Sequence, residues 1–254
     1  MAHTGKKKAG ASSAAVANST MVNGIEVGTG RPEKYITAGG VRCVGVTTVT
    51  GRWGDKGNLI YWGYNRGIAD GERRAKGEDE EGLYASRDTA AEVGSRVHQM
   101  IEGMILGKET KALEDPELEA WAQDTFKSFR DWWADNDFKV VALEVPLFHE
   151  EFAVAGTFDC VARSKTGKLV LLDWKTSSGI YPDYLVQVRA YAWLWEENLR
   201  DQIDGFHIVR FSKERNGGME HRQWSRASMD TCLEQWIRWV QAYRADAKIK
   251  AMLR

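Results

Sequence analysis

The sequence contains few cysteines, and they form no recognisable pattern. Three of its 254 residues are cysteine, and they stand far apart with no Cys-x-x-Cys pair: Cys43, Cys160 and Cys232. This spacing excludes a disulfide framework and a zinc site of the finger type. Free cysteines are typical of proteins in a reducing compartment, so we expect a cytoplasmic protein, in a bacterial or phage-infected cell.

Long apolar runs are lacking as well. No segment approaches the roughly 20 consecutive apolar residues that a membrane-spanning helix needs, so we expect no membrane partner. The lysines at 6–8 precede small residues rather than an apolar core, which is unlike a signal peptide. Residues 1–20 show no periodic apolar pattern and are interpreted as a flexible N-terminal tail. Residues 21–254 are then expected to form a single domain.

The chain also lacks an excess of positive charge. A net charge of −1 argues against a surface that coats nucleic acid without selectivity, so any contact with phosphate must be local. Arg52 is one candidate for such a contact, and the neighbouring Trp53 is a candidate for stacking on bases. No Gly-x-x-x-x-Gly-Lys-Ser/Thr motif occurs, so a motor activity would have to come from a partner.

Charged residues do occur inside apolar strands. In the segment 169–176, side chains alternate between two faces, so Asp173 and Lys175 point the same way. A turn at 164–167 can pair this strand with the preceding one, which places Asp159 beside Asp173. Two adjacent carboxylates repel each other unless a cation lies between them, and oxygen ligands favour Mg²⁺ or Mn²⁺. The alternative is a buried salt bridge between Lys175 and Asp173.

Four further polar residues stand in apolar surroundings. Glu144 is the only acid in 139–149, which predicts a central strand, and a buried acid needs a partner or a metal. His98 lies at the edge of a helical apolar stripe, where the alternative is a packed histidine. Gln187 and Tyr191 are spaced i, i+4 on one face of a helix, where the alternative is a packing face.

The order of the predicted elements indicates an α/β (α+β) fold with a mixed central β-sheet flanked by helices. A hairpin is predicted over 34–50, with Gly39-Gly40 as its turn and Thr47–Thr50 at the end of its second strand. The predicted helices cover about 59–73, a segment around His98, 116–136, 183–199 and 228–252. The other predicted strands cover about 139–149, 152–163, 168–175, 206–212 and a segment ending at Trp224.

Taken together, these motifs resemble the PD-(D/E)XK nucleases, and specifically the RecB-like exonuclease branch that includes CRISPR-adaptation exonucleases, the mitochondrial genome maintenance exonuclease and many phage nucleases. The resemblance covers about residues 40–245 and implies a restriction-endonuclease-like core. The matching motifs are Gly94-x-x-x-His98, Glu144, Gly156-Thr157-Phe158-Asp159, Asp173-Trp174-Lys175-Thr176 and Gln187-x-x-x-Tyr191.

The resemblance also implies roles for individual residues. It implies a Mg²⁺ or Mn²⁺ site whose ligands are His98, Asp159, Asp173 and the backbone carbonyl of Trp174. It makes Lys175 the catalytic lysine, with Asp159 and Asp173 as its catalytic acids, and Glu144 a less constant ligand. The supporting or DNA-contacting residues would be Gln187, Tyr191, Thr48, Arg52 and Trp53. The iron-sulfur cluster of some members needs four thiolates, so none is expected in this chain.

The expected function is that of a metal-dependent exonuclease acting on DNA ends in phage-type recombination, repair or replication, with a recombinase or helicase as a candidate partner. One alternative is a structure-specific endonuclease on the same core. A second is an inactive nucleic-acid-binding protein, against which the retained Asp159, Asp173 and Lys175 argue.

Overall fold

The computed structural model describes residues 19–28, 35–54, 57–79, 82–198, 200–212 and 218–253. The strands are β1 (Ser19–Val22), β2 (Ile25–Gly28), β3 (Val44–Gly45), β4 (Lys139–Leu143), β5 (Pro146–His149), β6 (Val154–Thr157), β7 (Cys160–Arg163), β8 (Leu169–Thr176), β9 (Gly205–Phe211) and β10 (Met219–Ser225). The helices are α1 (Val46–Trp53), α2 (Gly57–Ala75), α3 (Leu83–Leu106), α4 (Pro116–Asn136), α5 (Pro182–Glu197) and α6 (Asp230–Ala251), with a 3₁₀ turn at Arg226–Met229.

Two sheets organise these elements. The larger has seven strands in the order β1-β2-β4-β7-β8-β9-β10, and the smaller has the order β3-β6-β5. In the larger sheet β2 and β4 are parallel, as are β8 and β9, whereas the other neighbours are antiparallel. The structure therefore confirms the predicted mixed sheet with flanking helices. The predicted antiparallel pairing of β7 with β8 is also confirmed, with Cys160 opposite Leu172.

Apolar side chains of β8 alternate between the two faces of the larger sheet. Leu171 belongs to the core that α5 and α6 cover, whereas Leu172 and Trp174 belong to the core that α3 and α4 cover. The indole of Trp174 meets Phe129 of α4 edge-on, with ring centroids 5.1 Å apart. Because Trp174 faces α4, its neighbours at 173 and 175 face the side of α5.

Helix α4 begins where its sequence predicts. The carboxylate of Asp115 accepts hydrogen bonds from the backbone N–H groups of Glu117 and Leu118, at 2.8 and 3.3 Å. Pro116 occupies the first turn, where its missing N–H is not needed. The predicted helix over 116–136 is thus confirmed.

The predicted strand at Thr47–Thr50 is wrong, because these residues lie in α1. Val46, Val49 and Thr50 are buried at the i, i+3, i+4 spacing of a helix, and α1 packs against α5 and α6. The strand preference of valine and threonine is weaker than this tertiary packing.

The prediction of one continuous strand over 139–149 is also wrong. The strand is interrupted at Glu144, whose φ is +51°. The two resulting strands, β4 and β5, belong to different sheets. The predicted strand 152–163 is likewise divided into β6 and β7, with Asp159 in the gap between them. The backbone N–H of Glu144 donates to the carbonyl of Asp159 at 3.0 Å, so the two breaks lie side by side. Both acids are therefore at strand ends rather than within strands.

Of the predicted tail, residues 1–18 lie outside the described part of the chain, and the last two residues of the tail, Ser19 and Thr20, belong to β1. No helix in the described ranges combines the length and apolarity required to span a bilayer.

Candidate active site

Asp173 and Lys175 face each other on β8, as their spacing predicts. The ammonium nitrogen of Lys175 lies 2.6 Å from Oδ2 of Asp173. Asp173 is fully buried, and the ring of Tyr184 from α5 lies 5.1 Å from the same ammonium. The aromatic face adds a favourable contact for the cation without supplying a second negative charge.

The two partners have pKa values that differ from their ordinary ones. Burial raises the pKa of Asp173 to about 6, although the charge of Lys175 lowers it, and the nearby charge of Asp159 raises it further. Burial disfavours the charged form of Lys175, but the carboxylates of Asp173 and Asp159 outweigh burial and raise the pKa of Lys175 above its ordinary value. Lys175 is therefore protonated and positively charged in the metal-free protein.

The carboxylate of Asp173 is not fully satisfied by Lys175. Its Oδ1 is buried and has no hydrogen-bond partner among the residues that the structure describes. A buried carboxylate oxygen without a partner is costly. Such an oxygen is a suitable ligand for a divalent cation.

Asp159 connects the end of β7 to β8 and to α3. Its Oδ2 accepts a hydrogen bond of 2.7 Å from the backbone N–H of Trp174, and its Oδ1 lies 3.8 Å from Nδ1 of His98. Glu144 completes a group of three in which one ligand atom from each of His98, Glu144 and Asp159 lies within 4.8 Å of the others. Two carboxylates and one imidazole form a donor set that fits a divalent metal.

The structure thus distributes the sequence-predicted ligands over two adjacent groups. Glu144, predicted as the less constant ligand, lies with His98 and Asp159. Asp173 instead contacts Lys175. The charges of Asp159 and His98 also act on the pKa of Asp173. Trp174 lines the adjoining cavity.

A cavity of about 680 Å³ opens between α3 and the end of the larger sheet. Its lining includes His98, Glu144, Trp174 and Lys175. Gly94 of α3 also lines it, and a Cβ on Gly94 would lie 3.1 Å from Oγ1 of Thr176. The missing side chain therefore lets α3 approach the end of β8. The other lining residues are Gly28, Ala90, Ala91, Ser95, Gln99, Glu102 and Thr176.

Gln187 and Tyr191 lie behind the acids on α5. The side-chain amide of Gln187 donates to the hydroxyl of Tyr191 at 2.9 Å, and both residues are buried. Burial raises the pKa of Tyr191 above its ordinary value, so the hydroxyl stays protonated. The Tyr191 ring packs where Gly156 of β6 has no side chain. This contact ties α5 to the strand that leads into Asp159.

The structure places Thr48, Arg52 and Trp53 on α1. Arg52 forms an ion pair with Asp246 of α6, and its guanidinium lies 5.4 Å from the ring centroid of Trp53. Within the described residues, none of these three lines the cavity. Gly28, which was not among the predicted site residues, does line the cavity. No motif surrounds Gly28 that could have singled it out.

The chain belongs to the PD-(D/E)XK nuclease superfamily, because the family model of that superfamily matches residues 68–253. The matched region contains His98, Glu144, Asp159, Asp173 and Lys175, and members of this superfamily use divalent metal ions.

Comparison with solved structures gives more distant similarities. The chain is similar to a candidate exonuclease from Eubacterium rectale, with 16% identity and a TM-score of 0.41 over 68% of this chain and 70% of the other. It is also similar to the protein SSO0001, with 14% identity and a TM-score of 0.33 over 77% and 75% of the two chains. A search of curated proteins finds no match.

Proposed function

We propose that this protein is a divalent-metal-dependent nuclease that hydrolyses DNA phosphodiester bonds as an exonuclease acting on DNA ends. The observation that carries the proposal is the buried Asp173 carboxylate, which contacts Lys175 and has one oxygen without a partner in the described structure. A protein that only bound nucleic acid would gain nothing from this costly arrangement beside a cavity.

His98, Glu144 and Asp159 would hold the metal, with Asp173 contributing its Oδ1. A bound divalent cation would supply a water of lowered pKa and neutralise charge on a phosphate oxygen. The backbone N–H of Trp174 fixes one oxygen of Asp159, which leaves Oδ1 directed towards His98. The protein thus orients the acid before any ligand arrives.

Lys175 contributes its positive charge. Since its pKa is raised, its ammonium remains protonated at neutral pH and can donate to a phosphate oxygen or to the attacking water. The ion pair with Asp173 and the ring of Tyr184 hold the ammonium at the wall of the cavity. Its role is to position a water or to stabilise the charge of the transition state.

The finer features of the proposal rest on the motifs of the chain. Two helices support an exonuclease of the RecB-like type. These are α3, which carries Gly94 and His98, and α5, which carries Gln187 and Tyr191. Mg²⁺ and Mn²⁺ are the proposed ions, because two carboxylates and one imidazole suit both. A phage-type role in recombination, repair or replication, with a recombinase or helicase as partner, extends the same proposal.

A comparison of linear with closed circular DNA tests the need for an end. End-labelled linear and covalently closed circular DNA, each single- and double-stranded, would be incubated with Mg²⁺, Mn²⁺ or EDTA. We expect linear DNA to be degraded from its ends with either metal, circles to remain closed, and EDTA to stop the reaction. A Lys175→Ala preparation, purified in the same way, controls for contaminating nucleases.

Two other outcomes would each indicate a different function. Cleavage of the circles would identify an endonuclease on this fold. Binding of DNA without cleavage under any metal condition would identify a nucleic-acid-binding protein.

A further inference from the structure

Gly28, the last residue of β2, approaches the backbone of Glu144 more closely than any side chain would allow. A Cβ built on Gly28 would overlap the carbonyl oxygen of Glu144 and would lie 2.8 Å from its carbonyl carbon. The same Cβ would lie 3.1 Å from Cδ of Pro146. Glycine is therefore required here for close contact between two backbones, since φ at this position is not in the left-handed region.

Glu144 adopts a backbone conformation that needs support. Its φ of +51° is in the left-handed region, which non-glycine residues rarely adopt. This conformation lets the chain leave the larger sheet after β4 and enter the smaller sheet at β5. It also determines where the carboxylate of Glu144 projects, which is towards His98 and Asp159.

Two backbone contacts hold Glu144 in that conformation. On one side, its N–H donates to the carbonyl of Asp159 at 3.0 Å. On the other side, Gly28 lies against its carbonyl group. Gly28 lies at this position because β2 pairs in parallel with β4, with Val27 opposite Leu143. Gly28 also forms part of the cavity wall.

The β1–β2 hairpin lies outside residues 68–253, the part of the chain that the superfamily model matches. We propose that this hairpin is part of the active site, and that Gly28 is a positioning residue that holds the Glu144 carboxylate in place to bind a divalent metal. The inference rests on the proposed function, because it assigns Glu144 to the metal. Gly28 has no side chain that could bind the metal, and it acts through Glu144.

Titration calorimetry with Mn²⁺ alone, in the full-length protein without DNA, tests the inference. Gly28→Ala should weaken Mn²⁺ binding by about tenfold or more, the range typical when the support of a metal ligand is removed. Gly39→Ala is the matched control, since Gly39 also lacks a positive φ and a Cβ there meets nothing closer than 3.8 Å. This control should bind Mn²⁺ as the wild type does.

A double-mutant cycle separates positioning from a general structural effect. If Gly28 acts through Glu144, adding Gly28→Ala to Glu144→Ala should not weaken Mn²⁺ binding further. Equal weakening in both backgrounds would overturn the inference, as would a Gly28→Ala protein with a lower Tm and wild-type Mn²⁺ affinity. A wild type that does not bind Mn²⁺ would instead overturn the proposed function together with this inference.

A second variant covers the case in which Gly28→Ala does not fold. Val27→Ala trims a buried side chain beside Gly28 and adds no atom, so it loosens the hairpin against β4. It should weaken Mn²⁺ binding in the presence of Glu144 and not in the Glu144→Ala background. Unchanged Mn²⁺ affinity in a folded Val27→Ala protein would contradict the inference.

Discussion

The ammonium of Lys175 lies 2.6 Å from Oδ2 of Asp173, two residues earlier on the same strand. The contact brings a positive charge to the wall of the cavity and leaves the other oxygen of Asp173 without a hydrogen bond in the described structure. One strand thereby presents both an ammonium for the phosphate and a carboxylate oxygen for the metal.

Removing the ammonium should strongly slow catalysis while preserving the fold. Lys175→Ala should reduce DNA hydrolysis by roughly 10²-fold or more, because charge on the phosphate is no longer stabilised. Lys168→Ala, which truncates an exposed lysine just before the same strand, is the control and should retain full activity. Single-turnover rates at saturating Mn²⁺ give the comparison, and equal rates for the two variants would exclude Lys175 from catalysis.

His98→Ala should change the dependence of activity on metal. The imidazole lies 3.8 Å from Asp159 and within the three-residue ligand group, so its loss should raise the Mn²⁺ concentration needed for half-maximal activity by about tenfold or more. Raised Mn²⁺ should restore part of the rate. If the Mn²⁺ titration curves of wild type and variant superimpose, and only the Tm falls, His98 is a packing residue of α3.

A pair of stacked histidines should make the fold sensitive to acid. Nδ1 of His207 lies 2.9 Å from Nε2 of His221, and burial, followed by the charge of His221, lowers the pKa of His207 to about 4. An unfolded histidine titrates near pH 6.5. Between these values the unfolded state binds more protons, so the free energy of unfolding should fall as the pH drops from about 6.5 towards 4.

Urea denaturation of wild type and His207→Phe between pH 7 and pH 4 measures this effect. The wild type should lose on the order of 2–3 kcal/mol more than the variant over that range. Asp173 contributes in the opposite direction, because its raised pKa adds stability as the pH falls through about 6. That contribution is common to both proteins and cancels in the difference. Parallel pH profiles would show that His207 does not titrate on unfolding.

Gly156→Ala should destabilise the protein. A Cβ at this position would lie 2.6 Å from Cε1 of Tyr191 and 2.9 Å from Cγ2 of Val46, so α1 or α5 would have to shift. Overpacking of this kind costs about 1–3 kcal/mol. Gly71→Ala on α2 meets nothing within 4 Å and should be neutral or slightly stabilising. Thermal unfolding compares the two, and an unchanged Tm for Gly156→Ala would contradict the packing described.

Local periodicity predicted the part of the site that lies within one strand. Side chains two apart on a strand share a face whatever the rest of the chain does, so the pairing of Asp173 with Lys175 could be inferred from spacing alone. The start of α4 was also predictable, because Asp115 and Pro116 determine it through contacts a few residues away.

The parts of the site that depend on distant contacts could not be predicted. The break at Glu144 depends on contacts with Gly28 and Asp159, which are 116 and 15 residues away, and neither contact leaves a local pattern. The helical state of Thr47–Thr50 depends on packing against α5 and α6. Periodicity therefore located Glu144 but assigned it to the wrong local structure.

The central claim is that this site hydrolyses DNA with a divalent metal and requires Asp173. The most direct test compares the hydrolysis of end-labelled linear DNA by wild type and Asp173→Asn, each with Mn²⁺ and with EDTA. Asparagine preserves the shape of the buried side chain and removes its charge, so the fold should survive, as circular dichroism would show. The proposed metal-dependent mechanism predicts rapid hydrolysis only by the wild type with Mn²⁺, and a rate lower by about 10²-fold or more in Asp173→Asn. Hydrolysis by the wild type in EDTA, or an Asp173→Asn rate equal to that of the wild type, would contradict it.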